Sequence, residues 1–420
     1  MRRVLKYGGT SIESADRIRR AASNIARLLH EGDQVAVVVS AQGNDTNLLL
    51  GAVYAATEHR VDAQSVYRVA ALGEQKSVYL LCAALRSLSL EAVPLTPEMA
   101  EGWPLIVDSD DTTPLAAQKI NEERPFELRE EESRRHVARH VLPVLRRGAV
   151  PVLAGFFARS SRGDLVTLGR GGSDISAVLL GRLLDADEVT IITDVEGILS
   201  ADPRLAPSPR LIEQMSVAEL EIMAARGARV VHPRALRYKT ETCRVRVVDF
   251  RRQEALSTTG TTLLGTSQPE LSAPEGSLGM LTLVGRDLGG RTGLLGDVGA
   301  VLGEADVAIA AATVSDRFIC LYVPEAGAEA AYRRLHEALR ERSWPFESIT
   351  LRRQVAELRL RSPAFLQTPG VLAEITGALG RRRINILEMI TSLTDICIYV
   401  DGGDRQAALS LLQELVARSP

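Results

Sequence analysis

The chain has 420 residues, of which 45% are apolar and 25% are charged, as is typical of soluble globular proteins with two or three domains. The net charge of −3 gives no electrostatic basis for nucleic-acid binding, and no stretch of about 18 uncharged apolar residues predicts a membrane span. The four cysteines show neither CxxC nor Cys/His spacing, and the N-terminus lacks the apolar core of a signal peptide, so we expect a cytoplasmic protein without a metal or disulfide framework.

The N-terminal segment predicts a strand, a glycine turn, a helix and a second strand, which indicates an α/β fold with a mainly parallel sheet. A short strand from Val4 ends in the turn KYGGTS at 6–11, Ser14 is predicted to cap the helix, and QVAVVVS at 34–40 predicts a buried strand. Lys6 on a Gly-Gly turn suits contact with phosphate oxygens, because glycine lets the backbone approach closely. A surface lysine beside a turn is an equal alternative for this hexapeptide alone.

The next segment supplies a long helix and a pair of histidines. Residues 64–90 predict a helix with Leu72, Gly73 and Glu74 in its middle part. A glutamate at such a place is usually solvated, but beside a glycine on a cleft wall it would suit an ammonium group. His136 and His140 lie four residues apart in a charged amphipathic helix without an acidic HExxH pattern, so we expect them to face solvent.

Residues 163–204 are the most informative stretch of the chain. They predict a strand, the glycine-rich turn GRGGSD at 169–174, a helix with one apolar face, and another strand. The turn offers backbone N–H groups and the positive end of a helix to an anion, and Arg170 adds a planar fork suited to a carboxylate or a phosphate. We expect Ser173 or Asp174 to cap the helix.

The ends of the predicted strands locate a ligand cleft. Thr193 and Asp194 follow the strand at 189–192, and ligands of open α/β sheets bind beyond the carboxyl ends of strands. The sequence contains no Gly-Lys dipeptide of a P-loop, and GRGGSD lacks the third glycine of a dinucleotide-binding motif. A phosphate-binding site here would therefore have to be built from other motifs. An ordinary βαβ crossover with a tight turn is the alternative.

The C-terminal third predicts a small unit that is repeated. The polar, turn-rich stretch at 265–277 is predicted to be a linker. The segments 278–345 and 354–418 each suit a βαββαβ unit, and the second strand of the first segment is expected at 306–309. A duplicated ferredoxin-like unit after an enzyme-like domain indicates a regulatory module that binds a small ligand. A dimerisation unit without a ligand is the alternative.

Five motifs occur in an order and at a spacing that are specific in combination. They are KYGGTS at 6–11, LGE at 72–74, GRGGSD at 169–174, TDVEGILSADPR at 193–204 and GARVVHPRA at 227–235. With these motifs nearly the whole chain resembles aspartate kinases, which belong to the amino-acid kinase superfamily and carry paired ACT domains. The resemblance implies a mainly parallel αβα sandwich over 1–264, the linker at 265–277, and two ferredoxin-like, ACT-type domains at 278–345 and 354–418.

The same resemblance implies a reaction, its cofactors and its partners. ATP would phosphorylate the β-carboxylate of L-aspartate to give 4-phospho-L-aspartate, the first step toward lysine, threonine and methionine, with Mg²⁺ carried by the nucleotide. A lysine or threonine effector would bind at the ACT domains, and a homo-oligomer would form through them. Leu199 stands where many members of that family have tyrosine, and Arg229 stands where lysine is usual.

The motifs assign the implied roles to particular residues. The catalytic positions are Lys6, Gly8, Gly9 and Asp174, with the two glycines donating N–H groups to the transferring phosphoryl group. The aspartate-binding positions are Thr10, Glu74, Arg170, Gly171, Gly172 and Ser173, with Arg170 on the α-carboxylate and Glu74 on the ammonium. The nucleotide-binding positions are Lys6, Gly8, Gly9, Ser40, Thr193, Asp194, Leu199, Asp202, Pro203, Arg204 and Arg229, and the effector positions are Thr368, Gly370, Asn385 and Ile386.

Two other functions stay open at this stage. A related kinase would act on another carboxylate, such as that of glutamate or acetylglutamate, although Glu74 and Arg170 together favour a free α-amino acid. A catalytically silent amino-acid sensor would act through the C-terminal repeats, although the presence of Lys6, Asp174 and Asp194 favours an enzyme.

Overall fold

Contacts in a computed structural model divide the chain into two units, Met1–Ser267 and Gln268–Pro420. The structure describes all residues other than 100–101, 109–119, 121–125, 226–230, 256–258, 268–269, 363–369, 393 and 419–420. None of the helices in this described part combines the length and the apolarity that crossing a bilayer requires.

The first unit contains fourteen of the described strands and eight of the described α-helices. The strands are β1 Arg2–Tyr7, β2 Gln34–Val39, β3 Ala92–Leu95, β4 Ile106–Asp108, β5 Glu127–Leu128, β6 Val150–Ala154, β7 Phe157–Ser160, β8 Leu165–Thr167, β9 Glu188–Thr193, β10 Ile198–Leu199, β11 Leu211–Ile212, β12 Gln214–Ser216, β13 Arg244–Asp249 and β14 Thr261–Leu264. The α-helices are α1 Ala15–His30, α2 Asp45–Thr57, α3 Ala63–Ser87, α4 Glu130–His136, α5 Leu142–Arg146, α6 Gly172–Leu183, α7 Val217–Ala225 and α8 Pro233–Leu236. Short 3₁₀ segments span Gly9–Ile12 and Phe250–Ala255.

An eight-stranded sheet forms the centre of the first unit, in the order β12-β14-β13-β9-β1-β2-β6-β3. Neighbouring strands in it are parallel, apart from the antiparallel pair β13 and β14. β2 has a nearly unbroken apolar sequence, and both β2 and β9 are almost entirely buried, as expected of parallel strands covered on both faces. Because β1 lies between β2 and β9, the carboxyl ends of these three strands meet at one edge of the sheet.

Two smaller sheets complete this unit. β5, β4, β7 and β8 form a four-stranded sheet in that order, and β10 pairs with β11 in an antiparallel ribbon. The helices pack by their predicted apolar faces: Ile18, Ile25 and Leu28 of α1 belong to the main hydrophobic core. The Ser14 hydroxyl accepts a hydrogen bond from the Arg17 amide, which confirms the predicted cap of α1.

The charged helix predicted before β6 contains a π-helical stretch at Val137–Val141 between α4 and α5. Both Val137 and Val141 are buried in the main core. This packing draws His136 and His140 inward, so they are half-buried, with ring centroids 6.1 Å apart, instead of facing solvent.

The second unit is built from seven described strands and four described α-helices. The strands are β15 Glu270–Ser272, β16 Leu278–Gly285, β17 Ala311–Val314, β18 Phe318–Pro324, β19 Phe346–Arg361, β20 Ile386–Thr391 and β21 Asp395–Asp401. The α-helices are α9 Leu294–Glu304, α10 Glu325–Glu341, α11 Val371–Arg381 and α12 Arg405–Arg418, with a 3₁₀ turn at Gly402–Asp404 before the last. The strands form one sheet in the order β17-β18-β16-β19-β21-β20, and β15 also pairs with β19.

The long strand β19 is shared by two halves of this sheet. Its first part pairs with β16, and its second part pairs with β21 on one side and with β15 on the other. β16, α9, β17, β18, α10 and the first part of β19 therefore make one ferredoxin-like set, and the rest of β19, α11, β20, β21, α12 and β15 make a second. Each set has its own hydrophobic cluster, which agrees with a duplicated unit.

Two local expectations differ from the structure. The predicted linker at 265–277 contains strand β15, which supplies the fourth strand of the second set although it precedes the first set in the chain. The strand expected at 306–309 lies at Ala311–Val314 instead. Asp306 has a φ of 53°, in the left-handed region. This conformation extends the turn after α9, so the strand begins later in the chain.

The face of the C-terminal sheet away from the helices carries a third apolar cluster, which includes Tyr322 and Tyr399. Tyr322 on β18 and Tyr399 on β21 stack with ring centroids 3.7 Å apart, and the Tyr322 hydroxyl donates to Glu388 at 2.5 Å. Since β18 and β21 are not neighbours in the sheet, this contact requires the two halves of the sheet to fold toward each other.

Candidate active site

A cleft of about 490 Å³ lies where the central strands end. The described residues that line it are Lys6, Ser40, Phe156, Arg170, Gly171, Gly172, Ser173 and Asp174. Lys6 lies near the end of β1, Ser40 directly follows β2, and Phe156 follows β6. The other lining residues belong to the turn before α6 and to the first turn of that helix. The fold thus brings the first predicted motif and the GRGGSD turn to the same place, beyond the carboxyl ends of parallel strands.

Lys6 and Asp174 form an ion pair at the cleft. The Lys6 Nζ lies 2.7 Å from Asp174 Oδ1, and the two side chains are only 12% and 13% exposed. The second carboxylate oxygen of Asp174 accepts a hydrogen bond from the His232 amide at 3.3 Å. The carboxylate is therefore fixed from two sides and holds the ammonium group of Lys6 at the cleft.

Arg170 is the exposed cation of the cleft. No acidic side chain in the described part of the chain pairs with its guanidinium group, so the group is available to an anionic ligand.

The start of α6 differs from the prediction. The residue before the helix is Gly171, with a φ of 71°, and no side chain caps the helix, so Ser173 and Asp174 lie inside its first turn instead of capping it. A Cβ added to Gly171 would lie 2.3 Å from the His232 ring, and one added to Gly172 would lie 2.7 Å from the Phe156 ring. The turn is packed between these two rings, and only glycine fits.

The KYGGTS turn is tied to the end of β9. The Gly8 amide donates to the Ile192 carbonyl at 3.1 Å, and the Ser11 hydroxyl donates to the same oxygen at 3.1 Å. The Gly8 N–H group is therefore already used, which corrects its predicted role as a donor to a phosphoryl group. A Cβ on Gly9 would lie 2.4 Å from the Ala41 carbonyl oxygen, so Gly9 allows the turn to approach the loop after β2.

Glu74 is a buried carboxyl group beside the cleft. It lies on α3, is 3% exposed, and its Oε1 accepts a hydrogen bond from the Ala41 amide at 3.3 Å. Its Oε2 has no hydrogen-bond partner among the described residues. Burial raises the pKa of Glu74 from 4.5 to about 8. Ala41 directly follows Ser40, a residue that lines the cleft, so the carboxyl group of Glu74 borders the site. Thr10 is exposed on the KYGGTS turn.

The predicted nucleotide positions extend from the end of β9. The Thr193 hydroxyl donates to Asp194 at 3.2 Å, and Leu199 is half-buried on β10. Asp202 and Arg204 form an exposed ion pair of 2.7 Å, with Pro203 exposed between them. None of these residues is among the described residues that line the cleft. Their segment begins next to Ile192, whose carbonyl accepts the hydrogen bond from Gly8 in the KYGGTS turn.

Some predicted positions lie elsewhere in the chain. Arg229 and Thr368 fall outside the described residues. Gly370 precedes α11 with a φ of 92°, exposed Asn385 precedes β20, and half-buried Ile386 begins it. The effector positions that are described thus belong to the second ferredoxin-like set.

Sequence reasoning missed two residues of the site, Phe156 and His232. Phe156 stands just beyond the carboxyl end of β6, so the strand-end rule that predicted Thr193 also applied to it. His232 lies in the GARVVHPRA motif, but no local pattern indicated its place in the site, because its ring reaches the glycine turn only through the tertiary fold.

The comparisons with known proteins agree on one family. The model of the amino acid kinase family matches residues 1–249. The aspartokinase of Thermus thermophilus is 35% identical over 239 residues, which are 56% of this chain and 53% of that protein. Aspartokinase 2 of Bacillus subtilis is 29% identical over 429 residues, which cover 98% of this chain and 96% of that protein. The chain thus spans about half the length of the first relative and nearly all of the second.

A solved structure has the same architecture. The crystal structure of aspartate kinase from Synechocystis superimposes with a TM-score of 0.77 at 25% identity, over 99% of this chain and 70% of that one.

Proposed function

This chain belongs to the amino acid kinase family, and on that basis we propose that it transfers the γ-phosphoryl group of ATP to the β-carboxylate of L-aspartate, giving 4-phospho-L-aspartate and ADP. The observation that carries the proposal is the convergence of Lys6, Arg170 and Asp174 on one cleft. The relatives named above supply the substrate, because each of them is an aspartate kinase.

The chemical step needs no protein nucleophile, because the carboxylate of the substrate attacks the phosphorus atom directly. Both reactants are negatively charged, so catalysis consists mainly of positioning them and stabilising charge on the transferring group. Lys6 supplies that positive charge, and Asp174 holds its ammonium group in place at 2.7 Å. The start of α6 adds the positive end of a helix dipole, whereas its Gly172 and Asp174 amides already donate to the Gly169 and Gly171 carbonyls.

The amino-acid substrate is held at both of its α-substituents. Arg170, which is unpaired among the described residues, binds the α-carboxylate in a bidentate, charge-assisted contact. Glu74 accepts a hydrogen bond from the ammonium group on its Oε2, which has no other partner among the described residues. The positive charge of the ammonium group stabilises the ionised form of this carboxyl group. Thr10, Gly172 and Ser173 complete the surroundings.

The nucleotide occupies the side of the cleft toward the end of β9. We assign its contacts to Lys6, Gly9, Ser40, Thr193, Asp194, Leu199, Asp202, Pro203, Arg204 and Arg229. Gly8 supports this surface through its bond to Ile192 instead of contacting a phosphate. Mg²⁺ enters with the nucleotide, where phosphate oxygens and water are its preferred ligands.

The C-terminal unit is proposed to be regulatory. We assign an ACT-type domain to 278–345, completed by the first part of β19, and another to 354–418, completed by β15 from the linker at 265–277. Lysine or threonine would bind at Thr368, Gly370, Asn385 and Ile386, and copies of the chain would associate through these domains. The two separate hydrophobic clusters support a pair of domains.

A hydroxamate assay tests the reaction directly. The purified chain is incubated with Mg-ATP, hydroxylamine and aspartate, and in parallel with glutamate or acetylglutamate. We expect aspartyl hydroxamate in the first reaction and far less product in the others. Absence of turnover with every acid would contradict the proposal, and calorimetric binding of an amino acid without turnover would identify a sensor instead.

A further inference from the structure

Phe156 gives the cleft its hydrocarbon surface. Among the described residues that line the cleft, the others carry a charge, a hydroxyl or no side chain. A substrate that binds Arg170 at one end and presents a second carboxylate to Lys6 must pass its methylene groups between these polar ends. Within the described lining, the ring of Phe156 is the surface that suits those methylene groups.

The backbone of Phe156 is held in an unfavourable conformation. Its φ is 73°, a value that bulky side chains rarely adopt. Two hydrogen bonds keep it there: its amide donates to the Ser176 hydroxyl at 3.1 Å, and its carbonyl accepts from the Leu168 amide at 2.8 Å. Strain of this kind persists where the surrounding structure fixes it, and it is concentrated at functional sites.

The ring itself has little freedom to move. It is 8% exposed, it stacks edge-on against Phe157 with centroids 4.9 Å apart, and it contacts Gly172 so closely that an added Cβ there would lie 2.7 Å from it. Phe156 is therefore a rigid wall attached to the same turn that carries Arg170. The ring therefore cannot move aside easily for a longer substrate.

We propose that Phe156 sets the chain length of the amino acid, favouring an acid with one methylene between its α-carbon and its reacting carboxylate over one with two. The inference rests on the proposed function. With the α-carboxylate held by Arg170 and the phosphoryl group held by Lys6, an additional methylene has to bulge sideways into the ring. A pocket that rejects one methylene discriminates by about 10- to 200-fold.

The test compares substrates in three variants. Phe156→Gly removes the ring at a backbone angle that glycine adopts without strain, and Phe156→Leu keeps a smaller apolar side chain. Phe157→Leu is the matched control, because Phe157 is the fully buried neighbour of Phe156 and does not line the cleft. For each protein, kcat/KM is measured with aspartate and with glutamate, and thermal unfolding verifies that the variant is folded.

We expect the ratio of kcat/KM for glutamate over aspartate to rise at least about tenfold in Phe156→Gly and by a smaller factor in Phe156→Leu, mainly through a lower KM for glutamate. Phe157→Leu should keep the wild-type ratio. If the wild type is active and both Phe156 variants fold but keep the wild-type ratio of kcat/KM for glutamate over aspartate, the role of Phe156 is refuted while the proposed function stands. A wild-type chain that does not phosphorylate aspartate overturns the proposed function, and the role of Phe156 fails with it.

Discussion

The Lys6–Asp174 pair is the central arrangement at the scale of single residues. A largely buried ion pair is poor evidence of stability, because the desolvation of both charges offsets their attraction. Its value here is positional: it holds an ammonium group beside an exposed, unpaired arginine within the described cleft. Two cations at one cleft can bring together two anionic reactants that would otherwise repel each other.

Replacement of Lys6 tests its contribution to the reaction. We expect Lys6→Ala to reduce kcat by about 10²- to 10³-fold, because the lost charge stabilises the transition state. The control is Lys76→Ala, which removes a lysine from a comparable 2.8 Å pair with Asp45 on the exposed surface of α2 and α3. Steady-state kinetics of both variants decide the matter: equal loss of kcat in the two, or full activity of Lys6→Ala, would refute the assignment.

Arg170 is expected to act mainly on substrate affinity. Arg170→Ala should raise the KM for aspartate by about tenfold or more, since a charge-assisted bidentate contact is lost. Arg162→Ala, an exposed arginine in the loop between β7 and β8, should leave the KM unchanged. If the two variants had the same KM for aspartate, the carboxylate contact would have to be placed elsewhere.

The buried carboxyl group of Glu74 predicts a pH dependence of substrate binding. Its pKa is raised to about 8 by burial, so in the free protein it is mostly protonated at neutral pH. An ammonium group binds the ionised form, and the KM for aspartate should therefore fall as pH rises toward about 8. Glu74→Gln should raise the KM and abolish this trend, and a trend that persists in the variant would assign it to another group.

The same carboxyl group affects folding stability in a predictable direction. Between pH 4.5 and about pH 8, Glu74 stays protonated in the folded protein, whereas in the unfolded chain it has released its proton. The free energy of unfolding should therefore decrease as pH rises through this interval. Urea unfolding at several pH values should show a smaller decrease for Glu74→Gln than for wild type.

At the scale of elements, the junction of β8 and α6 determines the geometry of the site. The turn is packed between the rings of Phe156 and His232, and its glycines adopt positive φ angles at Gly169 and Gly171. This packing fixes Arg170 and Asp174 relative to each other, since one precedes the helix and the other lies in its first turn.

A pair of alanine substitutions separates backbone strain from crowding in this turn. Gly171→Ala places a Cβ 2.3 Å from the His232 ring at a φ of 71°, whereas Gly148→Ala at a φ of 77° meets no atom within 4 Å. We expect Gly148→Ala to lower the free energy of unfolding by about 1 kcal/mol. Gly171→Ala should lower it further and also impair kcat/KM, as measured by urea unfolding and kinetics. Equal effects would mean that crowding by His232 is negligible.

Local patterns predicted most elements, and tertiary contacts explain the exceptions. α1 was predictable because its Ser14 cap and its apolar periodicity are both local in sequence. The left-handed Gly171 that starts α6 was not, because its conformation depends on packing against His232. Strand β15 was missed for a similar reason: its partners in β19 lie about 90 residues further along, and a polar, turn-rich stretch gives no sign of them.

The candidate site was predictable to a similar extent. The motifs predicted both Lys6 and Arg170, and they line one cleft, but no local pattern showed that the Gly8 amide is occupied by Ile192. The contact between Lys6 and Asp174 also required the parallel order of strands that places β1 beside β9.

At the scale of the whole molecule, we expect the C-terminal unit to regulate the kinase reaction. The two ferredoxin-like sets share β19 and are also joined by the stacked rings of Tyr322 and Tyr399. A ligand that changes one set therefore has direct contacts through which it can affect the other.

Titration with amino acids tests this regulation. We expect lysine, threonine or both to inhibit the aspartate-dependent reaction, and Asn385→Ala to weaken that inhibition while retaining the uninhibited rate. Gln413→Ala, which changes an exposed side chain on α12, should be inhibited as wild type is. Insensitivity of the wild-type chain to both amino acids would remove the case for these effectors.

The placement of β15 has a consequence for how this chain could be recombined with its relatives. The fourth strand of the second ferredoxin-like set is encoded ahead of the entire first set, and β19 belongs to both. A crossover between the two sets would leave each hybrid with β15 from one parent and its partner residues in β19 from the other. Chimeras should therefore tolerate an exchange of the whole stretch from 270 to 418 far better than a swap of either half.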